Sequence, residues 1–315
     1  MAAGVTVATE VADSAIALMQ KAFFISASDN IVIDQFASYK FQEKAKSIDF
    51  VKFTKLAKAT AALTDNGDDA TNEKVVDAKV TITPEEYGNV VTVTSLATLH
   101  TGGKVDLAVP KLIGTNLAES VNSLGLAALN ASTDTDITEY HSTGATTYET
   151  GGSDGDLAAT DVINYETLQQ AHNDLVSANV QPFGDGYYAL VVHPHVAGDI
   201  LKLSEFADYN KYTSQDRLFK NEIGALAGFR IVSSTGAPLG ADDGTGTVDH
   251  YASFAIGQNA FGKAVSLEPE IRITGPFDNL GRAYNIGWYG VFKYAVVDGN
   301  ALVRINTASS YGANT

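Results

Sequence analysis

Residues 46–83 read KSIDFVKFTKLAKATAALTDNGDDATNEKVVDAKVTIT, and this stretch sets the organisation of the chain. Apolar and polar side chains alternate from Val76 to Ile82, which is the period-two pattern of a half-exposed strand. Ile48, Phe50 and Phe53 predict a strand before it within 46–56, and the acidic, turn-rich stretch 64–73 separates the two. The sequence therefore predicts a long β-hairpin with an acidic tip.

This hairpin has few apolar neighbours in the sequence against which it could pack. An arm of ~10 residues at ~3.3 Å each reaches about 33 Å. A compact chain of 315 residues has a radius of gyration of only about 20 Å. Because an isolated two-stranded hairpin is marginally stable in water, we expect this one to project and to gain support from a neighbouring molecule.

The composition excludes several classes of function. Thirty-seven acidic residues against 21 basic ones give a net charge of −16, which would repel nucleic acid and anionic membranes. The absence of cysteine excludes disulfides, thiolate metal sites and cysteine nucleophiles. No apolar run approaches the ~20 residues that span a bilayer, and the first residues lack the basic start of a secretory signal. At 45% hydrophobic, the chain can bury a substantial core.

Helices and strands alternate along the rest of the chain without a βαβ rhythm. Apolar spacing predicts a long helix over 106–131, with Pro110 tolerated in its first turn, and a second helix over 165–179. The tract 132–158 is dominated by Ser, Thr, Gly and Asp and indicates a polar surface insertion. Alternating apolar residues on both sides of Asp298-Gly299 predict a C-terminal hairpin. These elements together indicate the α+β class.

Three motifs partly match known sites for phosphate binding, nucleophilic catalysis and zinc binding, but each lacks a feature that its site requires. Gly257–Ala264 matches a phosphate-binding loop except at its last position, where alanine replaces the hydroxyl residue that holds magnesium. The pattern around Ser153 matches a nucleophile elbow but lies in a low-complexity loop instead of a strand-to-helix turn. His193 and His195 lack a third zinc ligand at a suitable spacing. We therefore predict no catalytic residue, no metal and no cofactor.

Four stretches carry a resemblance to a known family. They are Val191–Pro194, the run NEIGALAGFRIV at 221–232, Gly257 with Ala260–Lys263, and NIGWYGVF at 285–292. In this order, and together with the projecting hairpin and long helix, they resemble the major capsid proteins of tailed bacteriophages, which have the Hong Kong 97-type fold. The resemblance spans most of the chain.

The resemblance implies a division into domains. Residues 1–45 would form an N-terminal arm and 46–83 the extended loop. Residues 84–131, which include the long spine helix, would form the peripheral domain with 276–315. Residues 159–275 would form the axial domain, and 132–158 an insertion near its base.

The resemblance also implies a structural function in the virion. Hexamers and pentamers of the chain, made in the bacterial host cytoplasm, would tile an icosahedral head around double-stranded DNA without sequence-specific binding or a membrane. Scaffolding, portal and decoration proteins are the further partners that it implies. The negative charge would let packaged DNA slide along the wall.

The extended loop would lie across a neighbouring subunit, so the predicted inter-subunit contacts lie on it. They are Phe50, Phe53, Lys58, Asp65, Asp68, Asp69 and Glu73. Although Lys58 lies near the hairpin tip, no acceptor is evident, and we predict no covalent cross-link.

Two alternatives remain open at this point. The Thr, Gly and Asp bias is also typical of secreted, self-associating bacterial surface proteins of the S-layer or adhesin kind. The second alternative is a hydrolase that uses Ser153 with a histidine, and it predicts that Ser153→Ala abolishes a measurable activity.

Overall fold

The helices of the chain lie between long stretches of strand. A computed structural model describes residues 19–27, 30–53, 56–58, 60, 73–102, 104–143, 147–150, 157–206, 222–241, 244, 247–277 and 280–311. Its helices are α1 (19–27), α2 (Ser95–His100), α3 (Lys104–Asn130), α4 (Tyr165–Ser177) and α5 (Pro194–Lys202), with 3₁₀ turns at Ile33–Gln35 and Gly299–Ala301.

The strands follow the chain in this order: β1 Ser38–Phe41, β2 Ile48–Phe53, β3 Asp77–Ile82, β4 Glu85–Thr94, β5 Thr138–Thr143, β6 Thr147–Thr150, β7 Tyr188–Val192, β8 Glu222–Leu226, β9 Phe229–Ser233, β10 Leu239–Gly240, β11 His250–Ile256, β12 Phe261–Phe277, β13 Ala283–Val296 and β14 Leu302–Thr307. Among the described residues they form three sheets. The mixture of separate helices and mainly antiparallel strands confirms the predicted α+β class.

A four-stranded sheet in the order β1-β12-β13-β4 carries α3 on one face. Residues Ile113, Leu117 and Val121 of the helix belong to the same buried cluster as Trp288 and Phe292 of β13. The indole N–H of Trp288 donates to Asn116 on α3 at 3.0 Å. The apolar stripe predicted from the sequence therefore fixes the long helix to the sheet.

The second sheet has the order β6-β5-β14-β11-β7-β9-β8, with β10 also paired to β11. Strand β7 is buried along its whole length because its two faces belong to different cores. Ala189 and Val191 share the cluster that contains α3, whereas Leu190 and Val192 share the cluster that contains α4 and α5. A strand covered on both faces has a continuous apolar sequence, as this one does.

The N-terminal segment lies along α3 and is clamped there by the buried Asn122. Its carboxamide oxygen accepts from the backbone N–H groups of Val32 and Ile33 at 2.8 and 3.2 Å, and its nitrogen donates to the carbonyl of Asn30 at 2.8 Å. Gly114 lets α1 approach, since a Cβ there would lie 2.6 Å from the Phe23 carbonyl oxygen. These contacts fix the direction of the segment along the helix.

The predicted C-terminal hairpin is wrong. Strand β13 pairs with β12 and β4, while β14 pairs with β11 and β5, so the two strands enter different sheets. Gly299 lies in a 3₁₀ turn and does not have the positive φ that a tight Asp-Gly hairpin turn requires. An added Cβ at Gly299 would lie 2.8 Å from the Asp134 carboxylate, so close packing explains the glycine.

Two further expectations need correction. The tract 132–158 is not only a surface loop, because β5 and β6 form an antiparallel pair within it and Tyr140 is buried. Pro110 does not lie in the first turn of α3. It lies inside the helix, and because proline has no backbone N–H, one helical hydrogen bond is missing there.

The predicted boundary at residue 276 falls within the continuous strand β12. Within the described ranges, the structure has no helix that is long and apolar enough to cross a membrane.

Candidate assembly surface

Strands β2 and β3 form a two-stranded antiparallel ribbon, which confirms the pairing predicted from the alternation. Six residue pairs run from Ile48 opposite Ile82 to Phe53 opposite Asp77. Beyond the last pair, the Glu73 carboxylate accepts from the backbone N–H of Ala57 at 3.0 Å. The two arms therefore stay together past the end of the ladder.

One face of the ribbon is fixed to its own chain. Ile48, Phe50 and Ile82 are buried in a cluster with Ala264 of β12. The Phe50 ring lies directly on Gly262, where an added Cβ would be 2.6 Å from its Cε1 atom. Only 8% of Phe50 is exposed. This residue therefore anchors the base of the ribbon to its own chain.

Five large apolar side chains of the ribbon and its extensions face solvent. They are Val51, Phe53, Leu56, Val75 and Val76, and each is more than half exposed. Phe53 is the aromatic residue of the group, and it is 67% exposed. We call these five residues the ribbon apolar surface. A concentration of exposed apolar side chains on the ribbon and its extensions marks an interaction site.

Polar contacts set the direction of the ribbon at its root. The Lys52 ammonium lies 2.6 Å from the Asp298 carboxylate, with both side chains about one-third exposed. On the opposite arm, Lys79 and Thr81 donate to the Asp49 carboxylate at 2.8 and 2.7 Å. These bonds, that of Lys79 first, lower the pKa of Asp49. The ribbon is thus joined to the body on one side and braced internally on the other.

The predicted contact residues fall into three groups. Phe50 is buried within its own chain. Phe53, Lys58 and Glu73 are exposed, so all three are available to a neighbour. The acidic tip residues Asp65, Asp68 and Asp69 lie outside the described residues. Whether these side chains contact a neighbouring subunit stays a prediction.

The analysis of the sequence missed most of the ribbon apolar surface, although a signal for it existed. Positions 48 and 50 share one face of a strand, whereas 51 and 53 share the other. Burial of Ile48 therefore implied that Phe53 points away from the body. The Lys52–Asp298 pair had no such signal, because the two residues are far apart in the sequence.

The other candidate motifs have structural explanations. Lys263 of the phosphate-loop pattern is buried on β12, and its ammonium contacts the Asp34 carboxylate at 2.5 Å. His193 caps α5 by accepting from the backbone N–H of His195 at 3.2 Å. Ser153 lies outside the described residues. Within those residues no group of three metal-ligating side chains lies close enough together to hold an ion.

A two-stranded ribbon that carries exposed apolar side chains is typical of a subunit that associates with others. A family model for the phage capsid protein matches residues 77–305. The chain therefore belongs to the phage capsid protein family, and it is a structural major capsid protein of the virion. A comparison with curated protein sequences found no match.

Solved capsid structures share the fold over most of its length. The capsid of Ralstonia phage GP4 has a TM-score of 0.69 at 11% identity, covering 89% of this chain and 92% of the other. The capsid of Cyanophage Pam1 has a TM-score of 0.59 at 11% identity, covering 90% of each chain.

The virus-like particle from Pyrococcus furiosus has a TM-score of 0.55 at 14% identity, covering 91% of this chain and 97% of the other. These likenesses confirm the predicted capsid fold. They give no support to a secreted surface-layer protein.

Proposed function

We propose that the chain assembles into hexamers and pentamers that close an icosahedral head around phage DNA, and that the ribbon of each copy lies across a neighbouring copy. The ribbon apolar surface is the observation that carries this proposal. Five large apolar side chains on the ribbon and its extensions would otherwise stay in water. Docking on a neighbour removes them from water and braces a ribbon that is marginal alone.

The domain assignments belong to the same proposal. Residues 1–45 serve as the N-terminal arm and 46–83 as the extended loop. Residues 84–131 with 276–315 form the peripheral domain, and α3 is its spine helix. Residues 159–275 form the axial domain, and 132–158 the insertion beside it. Strand β12 is continuous across residue 276, so its residues 261–275 lie in the same sheet as β13 and β4 of the peripheral domain.

The charge of the chain suits a container for DNA. With a net charge of −16, the wall repels the phosphate backbone, and packaged DNA stays free to move. The proposal also includes synthesis of the subunit in the host cytoplasm and its binding to scaffolding, portal and decoration proteins. Empty shells that retained DNA tightly at low salt would contradict the repulsive wall.

Negative-stain electron microscopy with light-scattering mass on the same sample tests the assembly. We expect closed shells, or rings of five and six subunits. The Phe53→Ser variant separates assembly from folding. Burial of a large apolar side chain is worth about 1.5–3 kcal/mol, so its loss at each contact raises the concentration needed for shells by about tenfold or more.

Val176→Ser is the matched control, since Val176 is an exposed apolar residue on α4, away from the ribbon. It should leave assembly unchanged. Equal shell yields from Phe53→Ser and the unmodified chain, with both folded by circular dichroism, would contradict the proposed role of the ribbon.

A further inference from the structure

The ribbon packs on the body only at its base. Alternate residues of a strand share a face, so Lys52 lies on the same side of β2 as the buried Ile48 and Phe50. On β3, Val80 lies opposite Phe50 and packs against the same apolar cluster. The next pair on this face is Lys52 with Ala78, and Ala78 is exposed. Apolar packing therefore ends at Phe50 and Val80.

Beyond that point a cavity of about 910 Å³ separates the ribbon from the body. Phe50–Phe53 and Ala78 line it on the ribbon side, and polar residues such as Asn179, Gln258 and Asn300 line it on the other. Protein interiors are otherwise filled to high density. The outer part of the ribbon is thus not held by packing among the described residues, and the cavity leaves it room to move.

Lys52 bridges this cavity. Its ammonium lies 2.6 Å from the Asp298 carboxylate. Among the described residues, this is the only ion pair or hydrogen bond that joins the ribbon to the body beyond Phe50. Both side chains are about one-third exposed, and ion pairs in contact with water are weak and are screened by salt. The pair can therefore open without the loss of any buried contact.

Asp298 does not move with the ribbon. The backbone N–H groups of Val297 and Asp298 both donate to the carbonyl of Ala260, at 2.9 and 3.0 Å. Asp298 also lies between β13 and β14, which enter different sheets. Lys52 therefore meets a partner that is fixed at the junction of the two sheets.

The position of Lys52 close to the seat of the ribbon makes the pair sensitive to the angle of the ribbon. Lys52 is two residues beyond Phe50, or about 7 Å along the strand, whereas an arm of ~10 residues reaches about 33 Å. A swing of about 10° about Phe50 moves the end of such an arm by about 6 Å and Lys52 by about 1 Å. A shift of about 1 Å already takes the pair beyond hydrogen-bonding distance.

We propose that the Lys52–Asp298 pair is a releasable latch on the ribbon. With the latch closed, the ribbon leaves the body at one angle; with it open, the ribbon swings about Phe50 over the cavity. The proposal rests on the proposed function, because the angle decides where on a neighbouring copy the ribbon apolar surface lies. Hexamers and pentamers present that neighbour at different angles, and a ribbon with two positions reaches it in both. Lys52 and Asp298 are thus positioning residues.

The distance between two nitroxide labels, measured by electron paramagnetic resonance, tests the latch in the full-length, unassembled chain. Because the natural chain has no cysteine, Val76→Cys on the ribbon and Val176→Cys on α4 provide two exposed labelling positions. Excess unlabelled chain removes distances between copies. We expect a narrow distance distribution at low salt. With Lys52→Met it should be wider by about 2 Å, which is the displacement that about 10° of swing gives four residues beyond Val80.

Lys79→Met is the matched control, because Lys79 pairs with Asp49 inside the ribbon and not with the body. It should leave the distribution narrow. Salt at about 1 M should widen the distribution of the natural chain but not that of Lys52→Met. Exchanging the charges, with Lys52→Asp and Asp298→Lys together, should restore the narrow distribution that either change alone removes.

An equally narrow distribution with Lys52→Met, or equal widening with Lys79→Met, would overturn the latch. A charge exchange that restores nothing would also overturn it. Shells of Lys52→Met should vary in diameter, and shells as uniform as those of the natural chain would refute a role of the latch in assembly. The distances are measured before assembly, so a natural chain that forms no shells contradicts the proposed function and not the latch.

Discussion

Replacing Gly262 by alanine tests whether the seat of the ribbon is as tight as the structure indicates. The added Cβ would lie 2.6 Å from Cε1 and 2.8 Å from Cζ of Phe50. Carbon atoms in contact are normally about 3.5–4.0 Å apart. The Phe50 ring must therefore move by about 1 Å, and it can move only by shifting the buried base of the ribbon.

Two opposing effects decide the sign of the change in stability. Where alanine can adopt the backbone conformation, replacing glycine by alanine stabilises the folded protein by about 0.4–1 kcal/mol, because it lowers the conformational entropy of the unfolded chain. Gly262 has no positive φ, so this gain is available. Overpacking a well-filled core costs about 1–3 kcal/mol. We therefore expect Gly262→Ala to lower the free energy of unfolding by about 1–2 kcal/mol.

A double-mutant cycle with Phe50→Leu isolates the clash. Leucine lacks the outer ring atoms that the new methyl group would meet, so in that background Gly262→Ala should stabilise by about 0.5 kcal/mol. Urea denaturation of the unassembled chain measures both steps. The reasoning is refuted if Gly262→Ala is neutral or stabilising in the natural background, or if its effect is the same in both backgrounds.

Three further predictions follow from buried polar groups. Asn122→Ala leaves three backbone groups without their partner, so it should cost about 2–3 kcal/mol and expose the segment before β1 to proteolysis, whereas a protease pattern like that of the natural chain would contradict the clamp. Burial, and then the nearby His195, lower the pKa of His193 from 6.5 to about 4. As the pH falls from 6.5 to 4, His193 is protonated in the unfolded chain before it is protonated in the folded chain, so the melting temperature should fall over this range. His193→Gln should make the melting temperature measured by calorimetry depend less on pH. Asp199 accepts from Ser309 and from the backbone N–H of Ser310, so Asp199→Ala should speed hydrogen exchange of the Ser310 amide, and an unchanged exchange rate would contradict this role.

The ribbon and the long helix were predictable because each pattern is local. The helix was expected over 106–131 and covers Lys104–Asn130, since its apolar stripe repeats every three to four residues without interruption. The paired strands of the ribbon were expected because two alternating runs flank a polar, acidic turn. Phe50 is buried within its own chain and Phe53 is exposed, and the alternation of the strand already places the two on opposite faces.

Long-range pairing explains the failures. Strand β5 was missed because its residues are mostly polar, yet it pairs in parallel with β14, more than 150 residues away in the sequence. Asn122 gave no local signal of its clamp, because its partners lie about 90 residues earlier in the sequence. Both depend on segments that only folding brings together.

The sequence by itself determined the long helix and the paired strands of the ribbon, the class of the fold, and the family through the order of its motifs. Only the tertiary structure decided that β13 and β14 enter different sheets, and that Asn122 holds the segment before β1 along α3. The physical reason is that side-chain periodicity records which face of an element is buried. The backbone groups that pair strands are the same in every strand, so the choice of partner depends on the packing of the whole chain.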